Sequence, residues 1–311
     1  RCPARGRGAP TALTRVLRDA RATCRSRHLL VRCRVVPAAT RIRTAPEVSL
    51  AAWHWGGAPV TPPRVVLVHG LASTSRLWDG VAADLVAEGA TVSALDLRGH
   101  GESDAPESGY DTETAADDVI AALEALVSAP VVLAGQSWGG NVALQVAARA
   151  PRLVSGLVLV DGGWIDLQRG FPSWDDALAA LTPPPIDGMD AEEFRSLVAG
   201  SLTGFPPGAV DAATSVVRVR DDQTIARRLT VARHLQILRS LWDDDPARWY
   251  PHVACPVVLM PAVADDTLPD PVRAAADALP TVVVRPAVGA HHDIHLQRPK
   301  DVAAEIRSLL S

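Results

Sequence analysis

Val131-Val132-Leu133-Ala134-Gly135-Gln136-Ser137-Trp138-Gly139-Gly140 places a serine where an apolar strand turns sharply into a helix. Four apolar residues suit a buried parallel strand. The stretch Asn141 to Ala150 reads as helix, with Val142, Leu144, Val146 and Ala147 as its apolar surface. At such a junction the serine is forced into a strained, positive-φ conformation that pushes its hydroxyl away from the backbone. Side chains two positions either side would collide there, so Gly135 and Gly139 are required. The hydroxyl then sits at a helix N-terminus, whose free N–H groups and dipole favour developing negative charge. As a bare pattern G-x-S-x-G is weak, since a glycine-rich loop can carry it. Between strand and helix it reads as a nucleophile elbow.

Working outward, short unbroken apolar strands alternate with helices. Before the elbow come strands at 40–44, 48–55, 65–68 and 91–95 and helices at 78–88 and 112–127; after it comes a strand at 157–160. This alternation predicts an α/β fold: a doubly wound, mostly parallel sheet covered on both faces. From Trp164 to about Pro246 no strong buried strand appears, and helix-like pieces at 174–181, 191–202 and 222–242 are split by proline-rich breaks. The sheet pattern resumes with a strand at 256–260, helix 270–279, strand 282–284 and helix 299–310. The expected organisation is a core of 37–163 and 247–311 with a helical cap, 164–246, inserted between core strands as a lid. Residues 1–36 read as an arginine-rich leader, expected to be disordered and to pack on nothing.

The 311 residues are 48% hydrophobic and 21% charged, with a formal net charge of -4. That is the composition of a globular domain and offers no basic field for nucleic acid. No apolar run is long enough to span a bilayer and no signal-peptide pattern opens the chain, so a cytoplasmic location is expected. Cys2, Cys24, Cys33 and Cys255 have neither zinc-site nor disulfide-framework spacing. No metal and no cofactor are indicated, and the oligomeric state is left open. A small-molecule substrate is the expected partner.

A serine hydroxyl needs a base to take its proton and a third group to orient that base. The tail Gly289-Ala290-His291-His292-Asp293-Ile294-His295, after the last apolar strand, offers a base at the carboxyl edge of the sheet. The acid should precede it, and Asp265 and Asp266 follow the strand at 257–260. Asp161, after the strand at 157–160, is an alternative acid or a turn residue. Oxyanion donors are expected from the Leu71 N–H, after the strand and turn Val68-His69-Gly70, and from the Trp138 N–H. His291 and His295 stand four apart, as a metal pair would, but no third ligand is apparent. Trp164, Trp174, Trp242 and Trp249 fall in or beside the cap, where they pack a core or line an apolar acyl pocket.

Together Val68-His69-Gly70-Leu71, the run Asp96 to Asp104, the elbow and the two loops resemble the α/β-hydrolase fold superfamily, over essentially residues 37–311. In that superfamily the acid commonly stands four residues before a proline, which selects Asp265 through Pro269. The base commonly stands seven before the proline of the last helix, which selects His292 through Pro299. The resemblance therefore implies Ser137 as nucleophile, Asp265 as acid, His292 as base and Leu71 with Trp138 as oxyanion hole. His291 replaces the glycine often found before the base, which keeps it as an alternative base. The loop Asp96 to Asp104, with Asp96, Arg98 and His100, usually shapes the sheet edge in such proteins. The implied activity is a serine hydrolase cleaving a small, largely apolar carboxylic ester or related acyl compound. Carbon–carbon bond hydrolysis and cofactor-free haloperoxidase or perhydrolase chemistry use the same three residues. A non-catalytic ligand-binding protein is the competing reading from another class.

Overall fold

The computed structural model describes residues 37–57 and 61–310. The arginine-rich segment 1–36 lies outside them. Ala38–Ala45 (β1) and Val48–Trp55 (β2) form an antiparallel hairpin. Val65–Val68 (β3) follows, then helix Asp79–Ala87 (α1), Val92–Asp96 (β4) and helix Thr112–Leu126 (α2). The elbow joins Val131–Gln136 (β5) to Trp138–Arg149 (α3), and Val154–Val160 (β6) comes next. Every residue of β3, β4 and β5 is buried, which explains why their sequences read as apolar runs rather than alternating ones.

Between β6 and the next sheet strand lie helices Leu167–Gly170 (α4), Trp174–Leu181 (α5), Ala191–Ser201 (α6) and Ala209–Thr214 (α7). A small antiparallel hairpin follows, Val217–Val219 (β7) with Ile225–Arg227 (β8), and then helix Val231–Asp243 (α8). The sheet resumes at Val257–Met260 (β9). The two-residue strand Ala262–Val263 (β10), helix Asp270–Ala278 (α9), Val282–Val284 (β11) and Ala287–Val288 (β12) come after it. Ile294–Gln297 (α10) and Pro299–Ser308 (α11) complete the described chain.

Eight strands form one sheet in the order β1-β2-β4-β3-β5-β6-β9-β11. Only the β1–β2 and β2–β4 pairs are antiparallel; the remaining pairs are parallel. Alternate residues of each strand feed opposite faces. Val66, Val68, Leu133, Leu157 and Leu159 pack with Val119 and Leu123 of α2 and with Val142 and Val146 of α3. Val65, Leu67, Val132, Val158 and Val160 pack instead with Val81 and Leu85 of α1 and with Val302 and Ile306 of α11. The sheet is thus doubly wound, as its sequence predicts.

The segment 164–246 is more than helices. Residues 222–242 were expected to form a single helix, but the structure puts a hairpin turn and a strand first. Gln223 adopts φ 63°, and the Asp222 carboxylate accepts the Thr224 N–H at 3.0 Å, closing the turn. Helix α8 begins only after Thr230, whose hydroxyl caps the Arg233 N–H. Ala209 and Ala212 pack on Leu77 and Leu296 of the core. Further ties join this segment to the core: Thr74 and Ser215 hydroxyls lie 2.6 Å apart, and Arg228 donates to the Gly101 carbonyl at 2.9 Å.

Candidate active site

The elbow is built by glycines that let backbones touch. Ser137 has φ 53° and ψ −127°, a left-handed region that costs an L-residue on the order of 1–3 kcal/mol. Its N–H donates to the Val160 carbonyl at 3.0 Å, and its carbonyl accepts the Gly140 N–H at 2.8 Å. A Cβ on Gly135 would stand 2.2 Å from the Gly139 carbonyl oxygen, and one on Gly139 would stand 2.3 Å from that of His69. Both requirements are visible in the motif. A third is not: a Cβ on Gly162 would lie 2.1 Å from the Ser137 carbonyl oxygen.

Register explains that contact. In the β5–β6 pair Gln136 stands opposite Val160, so Ser137 and Asp161 leave adjacent strands side by side. Asp161 also has a positive φ, 43°. Its backbone N–H donates to the Met260 carbonyl at 2.9 Å, and its Oδ1 accepts the Ala262 N–H at 2.9 Å. The other oxygen, Oδ2, lies 2.6 Å from His292 Nδ1.

Asp265, selected as the acid through Pro269, is not brought to His292. After Met260 the chain runs into β10, which pairs in parallel with β12. That pairing carries Asp265 past the sheet edge into an exposed turn, where its carboxylate accepts the Thr267 N–H at 2.8 Å. The same bond holds the Asp265 carboxyl below its ordinary range. The carboxylate that the structure brings against His292 is that of Asp161, not that of the expected Asp265. Asp266 is exposed as well.

His292 is half-exposed, and its pKa is raised above the usual imidazole value. The Asp161 hydrogen bond is the main cause. Partial burial opposes it, and the charges of Asp161 and Asp293 add to it. With Nδ1–H committed to Asp161, Nε2 carries the ring's lone pair. His291 turns elsewhere: its N–H donates to Gln297 Oε1 at 2.8 Å, and its ring packs edge-on against Phe205. His295 is wholly buried beside Trp78, and burial pushes its pKa down to about 4. Among the described residues no cluster of three or more His, Cys, Asp or Glu could hold a metal ion.

Two other buried histidines shape the loop that carries Leu71. His69 Nδ1 donates to the Gly70 carbonyl at 2.7 Å, and its Nε2 accepts the Leu97 N–H at 3.0 Å. His100 Nδ1 donates to the Arg98 carbonyl, and its Nε2 accepts the N–H of Ala72 at 3.2 Å. Burial keeps both neutral, with His100 pushed down to about 3. His100 therefore supports Ala72, a non-glycine residue at φ 55° directly after Leu71. Elsewhere in its loop, Asp96 accepts N–H bonds from Ser75 and Glu102 and from the Trp53 ring, a structural role.

Ser137 and His292 line one cavity of about 300 Å³. Leu71, Leu77, Leu202, Ala213, Val216 and Leu296 supply its apolar wall, and Ser73, Gln136 and Asp293 its other polar groups. Leu202, Ala213 and Val216 come from segment 164–246. The Trp138 N–H lies in the first turn of α3, where no intrahelical acceptor exists. Gln136, passed over in the motif, donates from Nε2 to the His292 carbonyl at 3.3 Å and so ties the elbow to the histidine loop. The four cap-region tryptophans pack against the large core cluster instead of lining this cavity. A separate cavity of about 370 Å³, lined by Asp166, Arg169, Trp242 and Asp243 to Asp245, contains no nucleophile–base pair.

Residues 63–242, more than half of the chain, match the family described as alpha/beta hydrolase fold. The chain belongs to that family. An esterase of Mycobacterium tuberculosis is 37% identical over 122 residues, 39% of either chain. A non-heme chloroperoxidase of Streptomyces lividans is 40% identical over 107 residues, 34% of this chain and 38% of that one. The crystal structure of E-2-(acetamidomethylene)succinate hydrolase superposes with a TM-score of 0.71 at 24% identity, covering 88% of this chain and 99% of that one. The chain spans about half the length of the first curated relatives it matches, uncharacterised mycobacterial proteins, at 48%. Among the described residues no helix is long and apolar enough to cross a membrane.

Proposed function

We propose that this α/β-hydrolase is a serine hydrolase that cleaves a small, largely apolar carboxylic ester or related acyl compound through an acyl-enzyme. The observation that carries the proposal is the Asp161–His292 pair at 2.6 Å beside the cavity lined by the strained Ser137. In this reading His292 Nε2 takes the Ser137 proton as Oγ attacks the acyl carbon. Asp161 holds the ring in the tautomer that leaves Nε2 basic and stabilises the imidazolium that forms. The N–H groups of Leu71 and Trp138 receive the oxyanion, and the α3 dipole adds to them. His292 then protonates the departing alcohol, and water, activated by the same ring, releases the acid.

A cavity of about 300 Å³ supports a small substrate, and its wall of leucine, alanine and valine supports an apolar acyl chain. Residues 164–246 act as a lid in this reading, since they supply part of that wall. The likeness to an esterase over 39% of the chain agrees with it. Labelling by a fluorophosphonate, with a screen of p-nitrophenyl esters of increasing chain length, is the test. Labelling at Ser137 with turnover strongest on short chains is expected. A protein that binds such compounds yet is neither labelled nor active would belong to the ligand-binding class instead.

A further inference from the structure

The cavity beside Ser137 has a one-sided charge. Asp293 lines it beside the titratable His292, and among the described residues no lysine or arginine does. The Asp293 residue is held at two points: its Oδ1 accepts from Gln136 Nε2 at 3.5 Å, and its backbone N–H donates to His291 Nδ1 at 3.1 Å. Gln136 is buried and also bonded to the His292 carbonyl, so the carboxylate is anchored to the elbow. Three nearby arginines are committed elsewhere, Arg298 by donating to the Val288 carbonyl at 2.9 Å. Arg228 donates to the Ser215 and Gly101 carbonyls and pairs with Glu102, and Arg76 pairs with Asp79 at 2.6 Å. Behind His292 stands a second carboxylate, that of Asp161.

We propose that Asp293 is a charge filter that confines the site to neutral acyl chains and rejects chains ending in a carboxylate. An entering carboxylate sheds water and meets a fixed like charge, with no guanidinium or ammonium among the described lining residues to offset either cost. A site made for acidic substrates places such a cation in its wall. The proposal rests on the serine-hydrolase reading and specifies its substrate class.

Two ethyl p-nitrophenyl phosphonates test it, one bearing a butyl chain and the other a 3-carboxypropyl chain of nearly the same shape. Each phosphonylates a reactive serine: the Oγ–P bond forms, p-nitrophenolate leaves, and the serine proton passes to the base. The rates of modification at Ser137 are compared at pH 8. The neutral probe is expected to react about 100-fold faster, about tenfold of this from the like charge of Asp293 and the rest from desolvation of the entering carboxylate. Asp293→Asn should narrow that ratio about tenfold, and Asp293→Glu should preserve most of it. The ratio cancels any loss of reactivity common to both probes. Equal rates in the unaltered protein, or a ratio unchanged by Asp293→Asn, overturn the filter alone. If neither probe modifies Ser137, the serine-hydrolase reading fails and the filter falls with it.

Discussion

His292 Nδ1 lies 2.6 Å from Asp161 Oδ2, and the other Asp161 oxygen accepts the Ala262 N–H at 2.9 Å. A backbone amide on one side and an imidazole on the other leave this carboxylate little rotational freedom. Asp265, in contrast, bonds within its own exposed turn.

Asp161→Asn is therefore expected to lower kcat by about 10³- to 10⁴-fold, because the ring loses both its preferred tautomer and the partner of its imidazolium. Asp265→Asn and Asp266→Asn should stay within about threefold of the unaltered protein, as exposed substitutions away from reacting groups do. Steady-state rates on a short-chain p-nitrophenyl ester decide it. A crippled Asp265→Asn beside an active Asp161→Asn would reverse the assignment.

Ser137→Ala should abolish both turnover and fluorophosphonate labelling while changing Tm by only a few degrees. Alanine meets the same backbone strain at φ 53°, so little stability is lost. Ser137→Gly should be equally inactive yet more stable, by about 1 kcal/mol, because glycine adopts that conformation freely. Thermal melts of the two variants provide the comparison, and a glycine variant less stable than the alanine variant contradicts the strain argument.

The acid limb of kcat/KM should follow deprotonation of His292, since only the neutral ring accepts the Ser137 proton. Its raised pKa places that limb above the ordinary imidazole value of about 6.5. Asp161→Asn removes the main cause and should move the limb to lower pH. The sign for stability follows from linkage: the Asp161–His292 contribution is fully present below the unfolded-state pKa and is lost as pH rises through the folded one. pH–rate profiles of the two proteins settle the direction, and an unmoved limb argues against the pairing.

Gly162→Ala should cost on the order of 1–3 kcal/mol and nearly all activity, because its Cβ would stand 2.1 Å from the Ser137 carbonyl oxygen. Gly200→Ala, exposed in α6 with nothing within 4 Å of the new Cβ, should instead stabilise by about 0.5–1 kcal/mol with unchanged kcat. Denaturant melts and activity assays of both variants test this. Equal effects would mean that close backbone approach at the elbow does not matter.

The elbow was legible in the sequence because everything that forces it is local. Four apolar residues require a buried strand, Gly135 and Gly139 permit backbone contact, and the helix begins one residue after Ser137. The core strands were legible for a similar reason, since an apolar run buried on both faces leaves no alternation to misread. The hairpin Val217–Val219 with Ile225–Arg227 was not, because three-residue strands carry too few side chains to show a period of two. The partner of His292 lay further out of reach. Asp161 and Asp265 both follow an apolar strand and precede the histidine in sequence, so chain order cannot separate them. Strand order and register separate them: β6 lies beside β5, Gln136 stands opposite Val160, and Asp161 emerges next to Ser137. The β10–β12 pairing carries the chain away before Asp265 is reached. A carboxylate's distance from an imidazole 131 residues later in the chain is set by hydrogen bonds between strands, and only the assembled sheet contains them.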